Sequence, residues 1–465
     1  MTLNRPCGPS LKILSLPRLP DKCLAPKFHL MYPPATFVST ITLDPLVPPT
    51  PKSASGALQI AAATIGNALE WFDILIYGYF ATTIAGVFFP NSNPVVSLVL
   101  TFGSFGLSYL ARPVGAVVLG AYADRAGRKA ALALSIRLMV VGTAVLALMP
   151  SYASIGLIAP IAVFAARLLQ GFAVAGEFGS STAFMIEHST HRKAFFSSWQ
   201  FSGQQMAKLL AALFGVGLIT NLNAQQLHGW GWRIPFLFGL LVGPVGVYIR
   251  RRVDETPEFM RSTHTRTPVR ELFATEKTGL LLGAGLVAVG TASTYFSIYM
   301  PTYATTRLHL PPATGYIVTI VLALIATVLC PVAGHLADKI GHTRIMLPAA
   351  IIMFLSFYPL FLFITHRPSL PTLLVGLIWD TLNQVAYVSA LPAVMASLFP
   401  ARTRVTGLSL SYNLGVTLFG GFSPAIFTWL TEVTHNNTAP SFYLMAMAVL
   451  SITTLVMVKR RTPHA

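Results

Sequence analysis

The stretch GNALEWFDILIYGY, residues 66–79, places Glu70, Asp73 and Tyr77 three and four residues apart inside a long apolar run. On a helix that spacing puts all three on one face. A carboxylate in hydrocarbon is costly unless it faces a polar cavity, meets a cation or takes up a proton. Desolvation favours the protonated carboxyl and a nearby cation favours the ionised one. A carboxylate whose cation moves, or is claimed by an anionic substrate, can therefore bind and release a proton. Glu70 and Asp73 are candidates for proton coupling; the structural alternative for either is a fixed ion pair between helices.

The cation candidate is Arg167. With Gln170, Val174 and Glu177 it recurs at helical spacing and gives a second apolar segment a partly polar stripe. Arginine offers a planar fork matched to a carboxylate. Gln200, Gln204 and Lys208, spaced by four, form a third stripe, and such a stripe in a lipid-spanning helix belongs on the cavity side. Lys208 would supply positive charge for an anion, or would snorkel toward an interface. Arg112, followed directly by Pro113, reads as a structural or gating residue. In the second half of the chain the binding candidates are neutral: Tyr299, Gln384 and Tyr412. Asp380 lies one helical turn before Gln384 and Asn413 directly follows Tyr412. No GxxxxGK[ST] loop occurs, and neither the three cysteines nor His188, His191, His335 and His342 have metal-ligand spacing. The sequence reads as neither an enzyme nor a metalloprotein, with the proton as coupling ion and no cofactor.

Helices must hold these residues. The 465-residue chain is 54% hydrophobic and only 10% charged, against about 25% charged in soluble domains. A water-soluble globular protein is excluded. Apolar runs of roughly 20 residues recur, long enough to cross about 30 Å of hydrocarbon as helices, whereas barrel strands would be shorter and alternating. The expected fold class is an all-α membrane protein with twelve transmembrane helices in two six-helix bundles. The spans lie at about 60–88, 97–121, 130–149, 153–178, 197–220, 233–250, 279–303, 313–336, 345–365, 371–397, 404–430 and 441–458.

The longest internal polar stretch, RRRVDETPEFMRSTHTRTPVRELFATEK, separates six spans from six. This divides the chain into an N-terminal bundle (57–250), a central loop (251–278), a C-terminal bundle (279–458) and a short tail (459–465). Residues 1–56 are rich in proline and basic residues, lack the apolar core of a secretory signal and read as a disordered tail; Met31 is an alternative start to Met1. The net charge of +17 is spread between apolar runs rather than gathered on one soluble domain, which argues against nucleic acid.

Lys and Arg crowd one set of loops, including Arg125, Arg128, Lys129, Arg192, Lys193, Lys339, Arg344, Arg402 and Arg404. Both termini and the central loop are therefore expected in the cytoplasm. Two of these loops repeat a pattern. GAYADRAGRKA begins at Gly120 and GHLADKIGHTR at Gly334, each at the end of the second span of its half. Gly120, Asp124, Arg125, Gly127 and Arg128, and then Gly334, Asp338 and Gly341, suit helix capping, a tight turn and close packing, a latch for one conformation.

This pattern resembles the major facilitator superfamily, in which two six-helix bundles rock about a midplane site. GNALEWFDILIYG, LARPVGAVVLGAYADRAGRK, ARLLQGFAVAGEFG, SSWQFSGQQ, GWGWRIPF and RRRVDETPEF together resemble its metabolite:proton symporters over most of residues 60–260. YMPTY and SLSYNLGVTLFGGFSPAI are most similar to bacterial citrate:proton symporters, with tricarballylate carriers also similar. The resemblance implies that Asp73 on the first helix faces Arg167 on the fourth, and that the protein works as a monomer in the bacterial inner membrane. Two departures stand out. Lys208 occupies a position that is apolar or small in citrate carriers, and His342-Thr343 stands where two basic residues are usual.

The expected function is import of a small organic anion, a citrate-like di- or tricarboxylate, with protons by alternating access, in contact with membrane lipid. Within the same class the alternatives are an aromatic carboxylate such as phthalate and a zwitterionic osmolyte such as betaine or proline. A non-transporting membrane sensor is the alternative of another class.

Overall fold

A computed structural model describes residues 56–126, 128–175, 177–187, 192–240, 243, 268–400 and 403–461. At several helical positions, Glu70 and residues 123–126 and 128–133 among them, only the backbone is described. The N-terminal tail and most of the central loop lie outside the described residues.

The described chain is helical because a backbone crossing hydrocarbon must satisfy its hydrogen bonds within the segment. In the first half the longer helices are α1 (Gly56–Tyr79), α2 (Ala81–Phe88), α3 (Pro94–Ala126), α4 (Arg128–Leu148), α5 (Ile158–Val174), α6 (Glu177–Glu187), α7 (Lys193–Asn221) and α8 (233–240). In the second half they are α9 (Lys277–Thr306), α10 (Pro312–Ile340), α11 (His342–His366), α12 (Leu370–Ser397), α13 (Arg404–Val416), α14 (Ser423–Thr434) and α15 (Ala439–Arg461). Among the described residues six helical stretches are long and apolar enough to cross a membrane, and seven if a bent pair counts as one span.

Two expected spans are interrupted and a third is distorted. The first bends by 71° between α1 and α2, the fourth divides into α5 and α6, and the eleventh, continuous over Arg404–Thr434, carries a π-helical turn at Thr417–Gly421 between α13 and α14. Breaking a helix frees carbonyls that need donors. The Tyr79 carbonyl accepts from the Tyr316 hydroxyl, and the Ala175 carbonyl accepts from Asn413 Nδ2 at 2.9 Å. Both donors come from the second half of the chain. The last helix runs to Arg461, so Lys459, Arg460 and Arg461, read from sequence as tail, form a basic final turn that complements the helix dipole.

Small residues set the helix spacing. A Cβ at Gly115 would strike the Phe172 carbonyl and one at Gly171 would strike that of Ser108, so α3 and α5 meet backbone to backbone. Arg112 lies one turn from the first contact and Arg167 one turn from the second. The α3–α5 register thereby fixes the two buried arginines relative to each other.

The two halves touch at both ends. At the end carrying the α10–α11 turn, the Asp338 carboxylate accepts from the backbone N–H groups of Ala194 (2.9 Å) and Phe195 (2.8 Å) at the start of α7. A Cβ at Gly334 would stand 2.7 Å from both the Ala194 carbonyl and Ser198 Oγ. Gly341 closes the turn with φ 108°, a conformation that favours glycine. At the opposite end Tyr316 reaches Tyr79, and Ile298 packs where a Cβ on Gly78 would fall.

Candidate functional site between the two halves

Asp73 is 6% exposed and Arg167 wholly buried. They do not form a direct ion pair. Arg167 Nη1 donates to Gln170 Oε1 at 2.8 Å, Gln170 Nε2 donates to Thr143 Oγ1 at 2.9 Å, and Thr143 Oγ1 donates to Asp73 Oδ2 at 2.8 Å. The direction of this chain is fixed by its ends. A guanidinium only donates, which forces the Gln170 oxygen toward it and the amide nitrogen toward Thr143. An ionised carboxylate only accepts, which takes the Thr143 proton. A protonated Asp73 would carry its proton on the unpartnered Oδ1 and still accept at Oδ2, through a neutral and weaker hydrogen bond.

The remaining capacity of both ends is unused: Asp73 Oδ1 and Arg167 Nε and Nη2 are buried without a hydrogen-bond partner among the described residues. Aromatic faces compensate part of the arginine's charge. Its guanidinium lies 4.4 Å from the centroid of Tyr77 and 5.2 Å from that of Phe105. The Tyr77 hydroxyl in turn pairs with Ser104. Gly239 on α8 backs the acid, because a Cβ there would collide with Asp73 Oδ1.

A narrow cleft lies between the halves. Asn67, Arg112, Phe178 and Gln200 line it from the first half, and Tyr412 and Asn413 from the second. Its water-accessible space is ≈ 10 Å³, room for about one water molecule. Asn67 and Gln200 bind each other twice, through Asn67 Nδ2 to the Gln200 carbonyl (2.9 Å) and Gln200 Nε2 to Asn67 Oδ1 (3.2 Å). The Phe178 and Tyr412 rings stack with centroids 3.5 Å apart. Arg112 is 2% exposed, and its guanidinium lies 4.0 Å from the Tyr109 centroid.

Gln204 and Lys208 continue the α7 stripe, both buried. Gln204 stands beside Tyr412. Lys208 sits within electrostatic reach of Cys330 on α10 and Asp380 on α12, and it is buried in the helix interface rather than snorkelling. Asp380 Oδ1 has no hydrogen-bond partner among the described residues. The α7 stripe thus comes within electrostatic reach of an acid from the other half.

Other candidates lie elsewhere. Tyr299 is wholly buried in an aromatic cluster, 5.5 Å from Phe102 and 5.8 Å from Phe427 between ring centroids. Gln384 braces α12 to α9, its amide nitrogen donating to the Gly290 carbonyl (3.2 Å) and Thr294 Oγ1 (2.9 Å). Asp338 is the α7 cap described above, and His342 Nε2 lies 3.2 Å from it. The side chains of Glu70, Asp124, Arg125, Arg128 and Glu177 lie outside the described residues, as does Gly127; Gly120 falls within α3.

Thr143 and Asn67 are site residues that the sequence did not single out. Both are neutral, so the cost of burying a charge gives no signal for them. Gly142 beside Thr143 lets α4 approach α5 closely, since a Cβ there would crowd Gln170.

The match to known proteins covers nearly all of this architecture. A family model described as Major Facilitator Superfamily matches residues 63–424. The citrate-proton symporter of Klebsiella pneumoniae is 36% identical over 421 residues, covering 89% of this chain and 95% of that protein. The glycine betaine/proline/ectoine/pipecolic acid transporter OusA of Dickeya dadantii is 34% identical over 426 residues, covering 86% and 82% respectively. A crystal structure of a D-xylose-proton symporter superposes with a TM-score of 0.67 over 86% of this chain and 97% of its own, at 17% identity, and so speaks for the fold. With a buried acid and arginine linked inside the first half and a polar cleft between the two halves, this all-α chain belongs to the major facilitator superfamily, a family of twelve-helix transporters.

Proposed function

We propose that the protein imports a small organic anion, a citrate-like di- or tricarboxylate, together with protons, by alternating access in the bacterial inner membrane. It works as a monomer with both termini in the cytoplasm. The observation that carries the reading is the Arg167–Gln170–Thr143–Asp73 chain. Its polarity suits an ionised Asp73, and protonation turns the charge-assisted Thr143 link into a weaker neutral one. Arg167 keeps Gln170 but loses the nearby negative charge just when the acid is neutralised, which leaves the unpartnered edge of its guanidinium to a substrate carboxylate. Glu70, on the same helix face, is the second proton carrier.

A polyanion needs several cations in a low-dielectric site. Arg167 and Lys208 hold carboxylates in this reading, with Gln200, Gln204 and Tyr412 supplying neutral hydrogen bonds. Co-moving protons offset the remaining charge and supply the driving force. Tyr299 and Gln384 act from outside the cleft, by holding the second-half helices together. The Asp338 cap on α7 and the glycines Gly334 and Gly341 hold one end shut, and the related 120–128 segment serves the first half in the same way.

One observation favours a second reading. Lys208 lies within electrostatic reach of Asp380, a cation and an anion that together suit a zwitterion, and the relative OusA is a glycine betaine/proline/ectoine/pipecolic acid transporter. Competition decides between the two. Labelled citrate uptake into proteoliposomes should be blocked by tricarballylate and poorly by phthalate or betaine. Uptake of labelled betaine, with no citrate uptake, would replace the first reading by the second.

A further inference from the structure

We infer that Arg112, with Tyr412 and Asn413 opposite it, forms a carboxylate-binding subsite between the two halves, distinct from Arg167; the inference rests on the organic-anion reading above. Arg112 Nε and Nη2 are buried without a hydrogen-bond partner among the described residues. An arginine in such a place is costly unless something meets its donors. The Tyr109 ring covers one face of the guanidinium at 4.0 Å, and a ring face satisfies the charge but not the N–H groups along the edge. A carboxylate engages that edge, with two parallel N–H···O bonds.

The surroundings supply the rest of a site. The cleft beside Arg112 is lined by polar groups of both halves, and Arg112 acts electrostatically on Tyr412 and on Arg167. Two buried guanidinium groups near each other repel in a low-dielectric interior, and an anion with more than one carboxylate relieves that repulsion. The partners also explain a coupling to closure. Asn413 already clasps the Ala175 carbonyl across the interface, and Tyr412 already stacks on Phe178. A carboxylate held on Arg112 of the first half and Tyr412 of the second would favour bringing the halves together. The present space, large enough for about one water, would have to widen to admit it.

The test uses full-length wild-type protein and the variants Arg112→Gln, Arg112→Lys and Tyr412→Phe. Two readouts are taken: thermal stabilisation by citrate, and citrate:citrate exchange in proteoliposomes at equal pH on both sides. The inference expects saturable stabilisation of the wild type. In Arg112→Gln half-saturation should rise about 30-fold or more in both readouts, with the preference for tricarballylate over succinate flattened. Arg112→Lys should lie between, and Tyr412→Phe should weaken binding by a few-fold with the maximal rate retained. Wild-type half-saturation in Arg112→Gln, with only slower exchange, would reduce Arg112 to a conformational role and overturn the subsite alone. If Arg112→Gln loses its helical circular dichroism, Arg112→Lys and Tyr412→Phe are judged by the same criterion. A wild type stabilised by betaine and by no carboxylate would overturn the organic-anion reading and the subsite together.

Discussion

Asp73 and Arg167 are joined through two neutral side chains, Thr143 and Gln170, by three hydrogen bonds of 2.8–2.9 Å. The separation matters for a group that must change its charge. Removing one partner of a direct buried ion pair leaves the other uncompensated, at about 3–5 kcal/mol. In the relay, Arg167 keeps Gln170 and the rings of Tyr77 and Phe105 whatever Asp73 does. Loading and unloading a proton then changes the strength of the Thr143 link rather than rupturing a salt bridge.

Asp73→Asn keeps the shape of the acid and removes its proton. Gradient-driven accumulation should vanish while exchange at equal pH survives, with the variant still monodisperse in detergent. Wild-type pH dependence in this variant would remove Asp73 from the coupling step.

Thr143→Val keeps the volume of the side chain and deletes the hydroxyl. It leaves Asp73 Oδ2 and the Gln170 amide without their shared partner, a penalty of about 1–3 kcal/mol per buried group. Thermal unfolding should show the loss, and accumulation should fall more than exchange. Thr143→Ser, which restores the hydroxyl, should recover most of both. Normal coupling in Thr143→Val would show that the relay transmits nothing.

Arg167→Ala should weaken anion binding severely, and Arg167→Lys should weaken it nearly as much because the planar fork is lost although the charge remains. The measurement is the half-saturating concentration for exchange. An unchanged value in either variant would move the anion site away from α5.

Asp338→Ala removes the acceptor for two N–H groups at the start of α7. By analogy with helix caps the loss is about 0.5–2 kcal/mol, taken from whichever state has this end closed. Spin labels on the adjoining ends of α7 and α10 should show a larger population at long distance. An unshifted distance distribution would make the contact incidental to gating.

Much of the helix layout was legible because hydrocarbon imposes few solutions: the apolar runs had to be helices, and the buried charges had to face inward. Asp73, Arg167, Gln170, Gln200, Gln204 and Lys208 were visible for that reason. Thr143 was not. A threonine in an apolar helix ordinarily bonds the carbonyl four residues back, as Thr101, Thr319 and Thr327 do, so its sequence context carries no mark of a role. The bend at Phe80 was hidden as well. It has no proline, and the donor that satisfies its freed carbonyl is Tyr316, 237 residues beyond Tyr79. Arg112 was visible as a buried cation, but the direction of its guanidinium follows from how α3 seats against α5, which depends on two glycines in different helices.

The most direct measurement is proton uptake by proteoliposomes in a lightly buffered suspension when citrate is added outside. Coupling through Asp73 predicts that the external pH rises with wild-type protein, in proportion to the citrate taken up, and stays level with Asp73→Asn. Citrate entry without a pH change, or an equal rise with Asp73→Asn, would contradict it.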